Sequence, residues 1–208
     1  MTPNEQLLKG LSILGYKVSD VQSELLLNYL DMLLEVNQSF NLTSITDFVE
    51  AIDLHLLDSL TLKPWLDELA DNHTVLDIGS GAGLPGIPIA IMYPNLKITL
   101  LDAREKKMKA CQFFIDTLGL TNITTVHARI ESFEPEDGSL DMIIARAVSQ
   151  SDTILKWVKH LPYTKLLLMK GQKPEVELEK ITQVPIITEV FIPNRSDKRH
   201  ILDFSKKR

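Results

Sequence analysis

Residues 74 to 90 read TVLDIGSGAGLPGIPIA, an acidic residue followed by closely spaced glycines. Two motifs overlap there. Counted from Gly81, the glycines at 81, 83 and 86 have the G-x-G-x-x-G spacing of a dinucleotide site; counted from Asp77, the run is D-x-G-x-G-x-G through Gly79, Gly81 and Gly83. The apolar run 74–78 predicts a strand that feeds straight into Gly79, which favours the Asp77 frame. A pyrophosphate also needs free N–H donors at the start of a helix, and Pro85 and Pro88 remove two of them. A carboxylate at the strand tip repels a diphosphate but suits a cationic ligand, such as the α-ammonium group of S-adenosylmethionine. The glycines would then let the backbone lie close to that cofactor.

Further chemistry sits at the ends of the following apolar runs. Asp102 closes the second, where an acid can accept both ribose hydroxyls; this serves either cofactor and does not separate them. After the third, ARIESF places Ile130 as an apolar wall and Glu131 as a partner for an exocyclic amine, or as an ordinary loop acid. Arg146 ends the fourth. Its guanidinium can donate two parallel bonds to a guanine edge or a phosphate, or form a structural salt bridge with Glu131 or Asp102. Adenine amino-methylases commonly carry N/D-P-P-Y/F after this strand, where this chain has ARAVSQ; Cys111, inside a predicted helix, lacks the preceding proline of cytosine C5 methylases. Guanine N7 has a lone pair and no proton, so its methylation needs no general base, and none is evident at the strand tips. His55 and Asp58, three apart on a helix face, read as a surface hydrogen bond more readily than as catalysts. The five histidines have no H-x-x-H or H-x-x-x-H spacing, so no metal is expected.

The elements that must position these groups change character near residue 70. The first 70 residues read as helices: Leu26, Leu30, Leu33, Leu34 and Asn37 recur at a helical period, and Thr46 or Asp47 can cap a helix carrying Phe48, Ile52, Leu56 and Leu57. From Thr74, short apolar runs alternate with helical stretches. Strands are expected at 74–78, 97–101, 123–127, 141–145, 164–169, 186–192 and 199–204, with helices at about 85–93, 104–118, 150–160 and 174–181. PNRSDK is too short for a helical crossover, so the last two strands form an antiparallel hairpin. The expected fold is α/β, a sheet of seven mostly parallel strands (71–208) behind an N-terminal helical extension (1–70).

The chain has 208 residues, 44% of them hydrophobic, and a formal net charge of -6. No apolar run approaches a membrane span, the start has no leader pattern, and the one cysteine excludes an internal disulfide, so a cytoplasmic location and no membrane partner are expected. The charge is uneven: residues 1–70 carry 3 basic against 11 acidic side chains, and residues 71–208 carry 19 against 17. Positive surface for nucleic-acid phosphates is available around Arg104–Lys109 and, near the late strands, at Lys170, Lys173, Arg195, Lys198 and Arg199.

LDIGSGAGLPGIPIAIMYP, followed by LLDAREKK, ARIESF, IIARAV and LMKGQ, with NLTSI and HLLDSL upstream and RHIL near the end, resembles the RsmG (GidB) family of bacterial rRNA methyltransferases. The resemblance runs from about Asn37 to Phe204. It implies a Rossmann-like class I methyltransferase that moves a methyl group from S-adenosylmethionine to N7 of a guanine in the 530 loop of 16S rRNA, as free rRNA or within a small subunit or assembly intermediate, with the protein a monomer. It further implies cofactor contacts at Gly79, Leu84, Ile130, Glu131 and Arg146, an active-site opening flanked by Arg129 and Arg146, and a basic face including Lys170, Arg199 and His200. The chain departs from the family's pattern at Ala103-Arg104-Glu105 and at Val36-Asn37. Two other readings of the residues stay open: a small-molecule methyltransferase whose acidic start forms a lid, and a non-catalytic RNA- or ribosome-binding protein.

Overall fold

The computed structural model describes residues 1–171, 175–179, 181–196 and 198–205. Helix α1 (Pro3–Ile13) and helix α2 (Asp20–Phe40) each begin in a capping box, Thr2 with Glu5 and Ser19 with Gln22, so that two otherwise orphaned donors are met at each start. Helix α2 buries Leu26, Tyr29, Leu30, Leu33 and Asn37, a stripe at helical spacing. It ends at Asn41, whose left-handed backbone (φ 49°) turns the chain away. Asp47, rather than Thr46, caps α3 (Phe48–Ala51) by accepting the Glu50 N–H at 2.7 Å. The helix then widens into a π segment, Ile52–Leu57, and continues through α4 (Asp58–Leu60) to α5 (Lys63–Leu66).

The sheet follows in βα alternation: β1 (Thr74–Ile78), α6 (Gly86–Met92), β2 (Lys97–Asp102), α7 (Glu105–Leu118), β3 (Ile123–His127), β4 (Leu140–Arg146), α8 (Ser151–Trp157), β5 (Tyr163–Lys170), α9 (Glu175–Leu178), β6 (Ile186–Phe191) and β7 (Lys198–Asp203). The strand order is β3-β2-β1-β4-β5-β7-β6. The first five strands run parallel, and β7 pairs antiparallel with both β5 and β6, which is the hairpin expected from PNRSDK. The order reverses between β1 and β4, so the crevice at the carboxyl ends of these strands is the place where such sheets bind ligands. Helix α8 is shorter than the expected 150–160 because the chain leaves the α-helical path after Trp157 to bring Pro162 and Tyr163 alongside β4.

Two hydrophobic layers sandwich the sheet. One combines Leu26, Leu30, Leu33, Ile52, Leu56 and Leu57 of the N-terminal helices with Val75, Ile87, Leu100, Phe114 and Ile144; the other joins Leu76, Ile143, Ile154, Leu166 and Phe204. Helices from residues 1–70 and the sheet therefore share one core. Polar contacts reinforce it: the Tyr29 hydroxyl donates to the Ala82 carbonyl at 2.9 Å, and Trp65 Nε1 donates to Asp203 at 3.2 Å. Each fully buried leucine of this layer contributes about 2 kcal/mol.

Candidate active site

The loop after β1 is built by its own glycines and by two aspartates at neighbouring strand tips. Gly79 has φ +63°, and a Cβ there would lie 2.8 Å from both Val148 methyl groups, so only glycine lets the loop pass beneath that side chain. Gly79 and Ser80 donate to the Leu101 carbonyl at 2.6 and 3.2 Å, anchoring the loop to β2. Asp102 accepts the Gly81 N–H at 3.1 Å and the Arg104 N–H at 2.9 Å, while keeping lone pairs for hydroxyl donors. At the start of α6 the Gly86 N–H goes to Asp77 Oδ2 (2.9 Å), the Ile87 N–H goes to Gly83, and Pro88 has none. A pyrophosphate would therefore find the donors engaged and a carboxylate beside them, which disfavours the dinucleotide frame.

Asp77 is fully buried and lines neither cavity described below, so its carboxylate joins β1 to α6 rather than lying open as a strand-tip anion. Its Oδ1 has no hydrogen-bond partner. Burial, only partly offset by the Gly86 N–H and the Arg146 charge, pushes its pKa up to about 7. The direct ammonium contact expected of Asp77 is therefore not what the structure shows: its carboxylate is closed off from both cavities beneath the glycine loop and shapes that loop through Gly86. Gly83, expected at the cofactor, borders neither cavity; a Cβ there would lie 2.4 Å from Ile87, so this glycine serves the packing of the loop on α6.

Two cavities meet over this loop. The smaller, about 390 Å³, is bordered by Asp102, Ile130, Glu131, Arg129, Arg104 and Trp157. It has the size of a small-molecule site, an acid for a ribose and an apolar wall for a base. Trp157 was not evident from sequence, because nothing in the spacing of α8 shows which face meets the end of β3. The larger cavity, about 980 Å³, is bordered by Leu84, His55, Asp58, Arg146, Lys170 and Arg199. Gly79, Lys107, Ala147 and Val148 border both, and Ala147 adopts a left-handed backbone (φ 54°) directly after Arg146. Of the basic cluster 104–109, Lys107 is thus the side chain turned to the junction.

Arg146 is tied down by the N-terminal helices. Its Nη1 donates to Asp58 Oδ2 at 2.9 Å and to the Leu54 carbonyl at 3.1 Å; Glu131 and Asp102, the partners considered from sequence, lie along the other cavity. The pair is largely sequestered, the side chains of Arg146 and Asp58 being 15% and 8% exposed. His55 is buried rather than on a helix surface, and its Nε2 lies 2.8 Å from Thr43 Oγ1. Burial and the nearby Arg146 charge lower its pKa to about 4, so its ring is neutral at physiological pH. The π segment carries both Leu54 and His55 to the cavity wall, a placement that α-helical periodicity does not predict.

The expected basic residues divide. Strand alternation turns Arg199, like Ile201, toward the N-terminal helices and the large cavity, and turns Lys198 and His200, like Leu202, to the opposite face. Lys170 borders the large cavity, but its Nζ is held by Glu177 and the Ser149 carbonyl, both at 2.8 Å. Lys198 pairs with Glu189 at 3.0 Å, Arg195 lies 3.7 Å from Glu50, and His200 Nδ1 is 3.0 Å from the Gly171 carbonyl. Arg129 is exposed at the small cavity and is not part of the Arg146 cluster. Lys173 lies outside the described residues.

Comparison with known proteins bears on the whole arrangement. A sequence model described as rRNA small subunit methyltransferase G matches residues 22–202. The ribosomal RNA small subunit methyltransferase G of Stutzerimonas stutzeri strain A1501 is 38% identical over 203 residues, covering 95% of this chain and 93% of its own length. The protein of the same name from Vibrio vulnificus strain CMCP6 is 34% identical over 197 residues, covering 92% and 91%. Among solved structures, M. capricolum TrmK in complex with S-adenosyl-homocysteine superposes with a TM-score of 0.53 at 17% identity, over 71% of this chain and 68% of its own. An Aquifex aeolicus SAM-dependent methyltransferase gives 0.51 at 19% identity, over 74% and 91%. At these identities the structural likeness establishes the fold, a class I methyltransferase sheet.

Proposed function

The chain belongs to the rRNA small subunit methyltransferase G family, and from that premise we propose that this S-adenosylmethionine-dependent enzyme methylates N7 of a guanine in the 530 loop of 16S rRNA. The observation that carries the site assignment is the meeting of the two cavities over the glycine loop, one with a ribose acid and an apolar wall, the other with arginines at its side. Asp102 would hold the ribose, Ile130 and Trp157 the adenine, Glu131 its amino group, and the backbone of Gly79, Gly81 and Leu84 the aminoacyl part, with Asp77 beneath. The bound cofactor supplies an electrophilic methyl group on a sulfonium.

The protein's share of the chemistry is orientation. N7 attacks with its own lone pair, so no residue has to remove a proton, and neutral His55 is compatible with that requirement. Arg146 would donate to guanine O6 or to a neighbouring phosphate, leaving N7 unobstructed toward the junction. Arg199 and Lys107 add positive charge on the same side, while Arg129 borders the cofactor end. We take residues 71–208 as the methyltransferase domain and 1–70 as an extension that completes its site. The chain would work as a cytoplasmic monomer on rRNA or an assembling small subunit. No described helix is long and apolar enough to cross a membrane.

Labelled-methyl transfer to deproteinised 16S rRNA, whole small subunits and a panel of metabolites tests this, with mass spectrometry of the nucleosides to locate the methyl group. Label in 7-methylguanosine is expected; label elsewhere on the RNA would remove N7, and label only in metabolites would remove the RNA substrate.

A further inference from the structure

The wall of the large cavity holds two guanidinium groups on one carboxylate. Arg146, from the end of β4, places Nη1 2.9 Å from Asp58 Oδ2, and Arg199, from β7, places Nε 3.5 Å from Asp58 Oδ1. These strands are separated by β5, so the two arginines meet only through Asp58, which comes from the opposite layer. Asp58 is 6% exposed, and its Oδ1 has no hydrogen bond, so its hold on Arg199 is charge alone. The Leu54 carbonyl takes a second bond from Arg146 and fixes the plane of that guanidinium. Here one negative charge holds two positive ones and leaves a net positive charge facing the place where a nucleotide would enter.

We infer that Asp58 is a positioning residue: it sets the Arg146 guanidinium against the target nucleotide and keeps Arg199 beside it as a phosphate-directed charge. This rests on the reading of the large cavity as the rRNA site. Without the carboxylate, the two guanidiniums repel, Arg146 keeps only its backbone partner, and the fork swings out of line. A misplacement on the order of 1 Å costs about a hundredfold in rate. Binding responds differently, since loss of a negative charge makes the wall more attractive to phosphates.

The test uses the full chain, labelled S-adenosylmethionine and whichever of 16S rRNA or small subunits the wild type methylates, in single turnover with both in excess of their dissociation constants. Asp58→Asn is expected to slow transfer between about tenfold and a hundredfold. Its cofactor affinity by calorimetry should stay within about twofold of wild type, and its RNA affinity should be equal or tighter. Adding Asp58→Asn to Arg146→Ala should cost no more than about twofold further, because the two act as one unit. Full rate in Asp58→Asn, losses that multiply in the double variant, or a rate loss matched by loss of cofactor and RNA affinity would each overturn the inference. Should Asp58→Asn fail to fold, Asp58→Glu keeps the charge and moves it by one methylene; slowed transfer at an unchanged melting temperature is expected, and an undiminished rate would overturn the inference. If the wild type itself puts no label into rRNA, the functional reading falls and this inference with it; a competent wild type with a full-rate Asp58 variant removes the inference alone.

Discussion

Asp77→Asn should change how stability depends on pH, by an amount set by the burial of one carboxylate. Asp77 is 0% exposed, accepts one hydrogen bond from Gly86, and has an unpartnered Oδ1. Burial raises its pKa from the ordinary 3.8 to about 7. The native state therefore holds this proton more tightly than the unfolded chain does, so stability falls as pH rises from about 4 and the full penalty is present above about 7. A difference of about three pKa units corresponds to about 4 kcal/mol. Asparagine has the same shape and carries no charge at any of these pH values. The stability of Asp77→Asn minus that of wild type should thus grow by about 4 kcal/mol between pH 4 and pH 8. His55 works in the opposite sense: with its pKa lowered from 6.5 to about 4, its contribution is lost as pH falls through that window. It is present in both proteins and cancels in the difference. Urea unfolding of both cofactor-free proteins at one-unit pH intervals measures the gap. A gap constant to within about 1 kcal/mol would refute the reasoning, because it would mean that Asp77 is already ionised at pH 4.

Gly79→Ala and Gly81→Ala share the cost of a left-handed alanine, about 1 kcal/mol, but the added Cβ meets Val148 at 2.8 Å only in the first, the nearest atom in the second being Lys107 Nζ at 3.5 Å. Cofactor affinity by calorimetry should fall at least about tenfold more for Gly79→Ala, and equal losses would show that Val148 yields freely. Arg146→Ala should slow single-turnover methylation about a hundredfold, or about 3 kcal/mol, and Arg146→Lys should recover little because an ammonium cannot reproduce the planar fork; a full rate in Arg146→Ala would take the residue out of the mechanism, and a full rate in Arg146→Lys would show that its charge alone suffices. Arg199→Ala, on the wall of the large cavity, should lower the salt slope of RNA binding by about one, whereas Lys198→Ala, turned to the opposite face and paired with Glu189, should leave it unchanged, and Lys170→Ala, 11% exposed and held by Glu177, should lower the melting temperature. A slope lowered by Lys198→Ala and not by Arg199→Ala would place the RNA on the other face.

The strands were legible because a parallel sheet covered on both faces needs short continuous apolar runs, and those runs end where the strands end, at Ile78, Asp102 and Arg146. The Asp77 frame was legible for the same reason: a strand tip fixes which glycine opens the loop. Periodicity could also have divided the basic residues of β7, since alternation alone sends Arg199 to one face and Lys198 and His200 to the other. Asp58 and His55 were not legible. Three apart on a helix, they carry the same signal as a solvated pair. What buries them is the π segment, together with a strand that begins more than 80 residues later and brings Arg146 to meet them. The partner of Arg146 is hidden on the same ground: Glu131 and Asp102, the alternative partners that the sequence offers, lie near it in the order of strand tips, while Asp58 belongs to the other layer.

The acidic first 70 residues therefore need not repel an anionic substrate, since charge counted along the chain is not charge presented at the site. Asp58 is spent on Arg146 and Arg199, and Asp53 accepts from Gln6 and Asn194. Glu50 lies against Arg195, and Glu68 pairs with Lys165 across the layers. Several acids of the helical segment thus face basic or amide groups of the sheet, and what they leave at the large cavity is Lys107 and the net positive Arg146–Asp58–Arg199 cluster. The same segment donates the Tyr29 hydroxyl to the glycine loop at Ala82 and the Leu54 carbonyl to Arg146. A chain beginning at residue 71 would lose these contacts together with the helices that share one hydrophobic layer with α6, α7 and the sheet, so the loop between the two cavities and the arginine wall depend on residues 1–70 as much as on the strands.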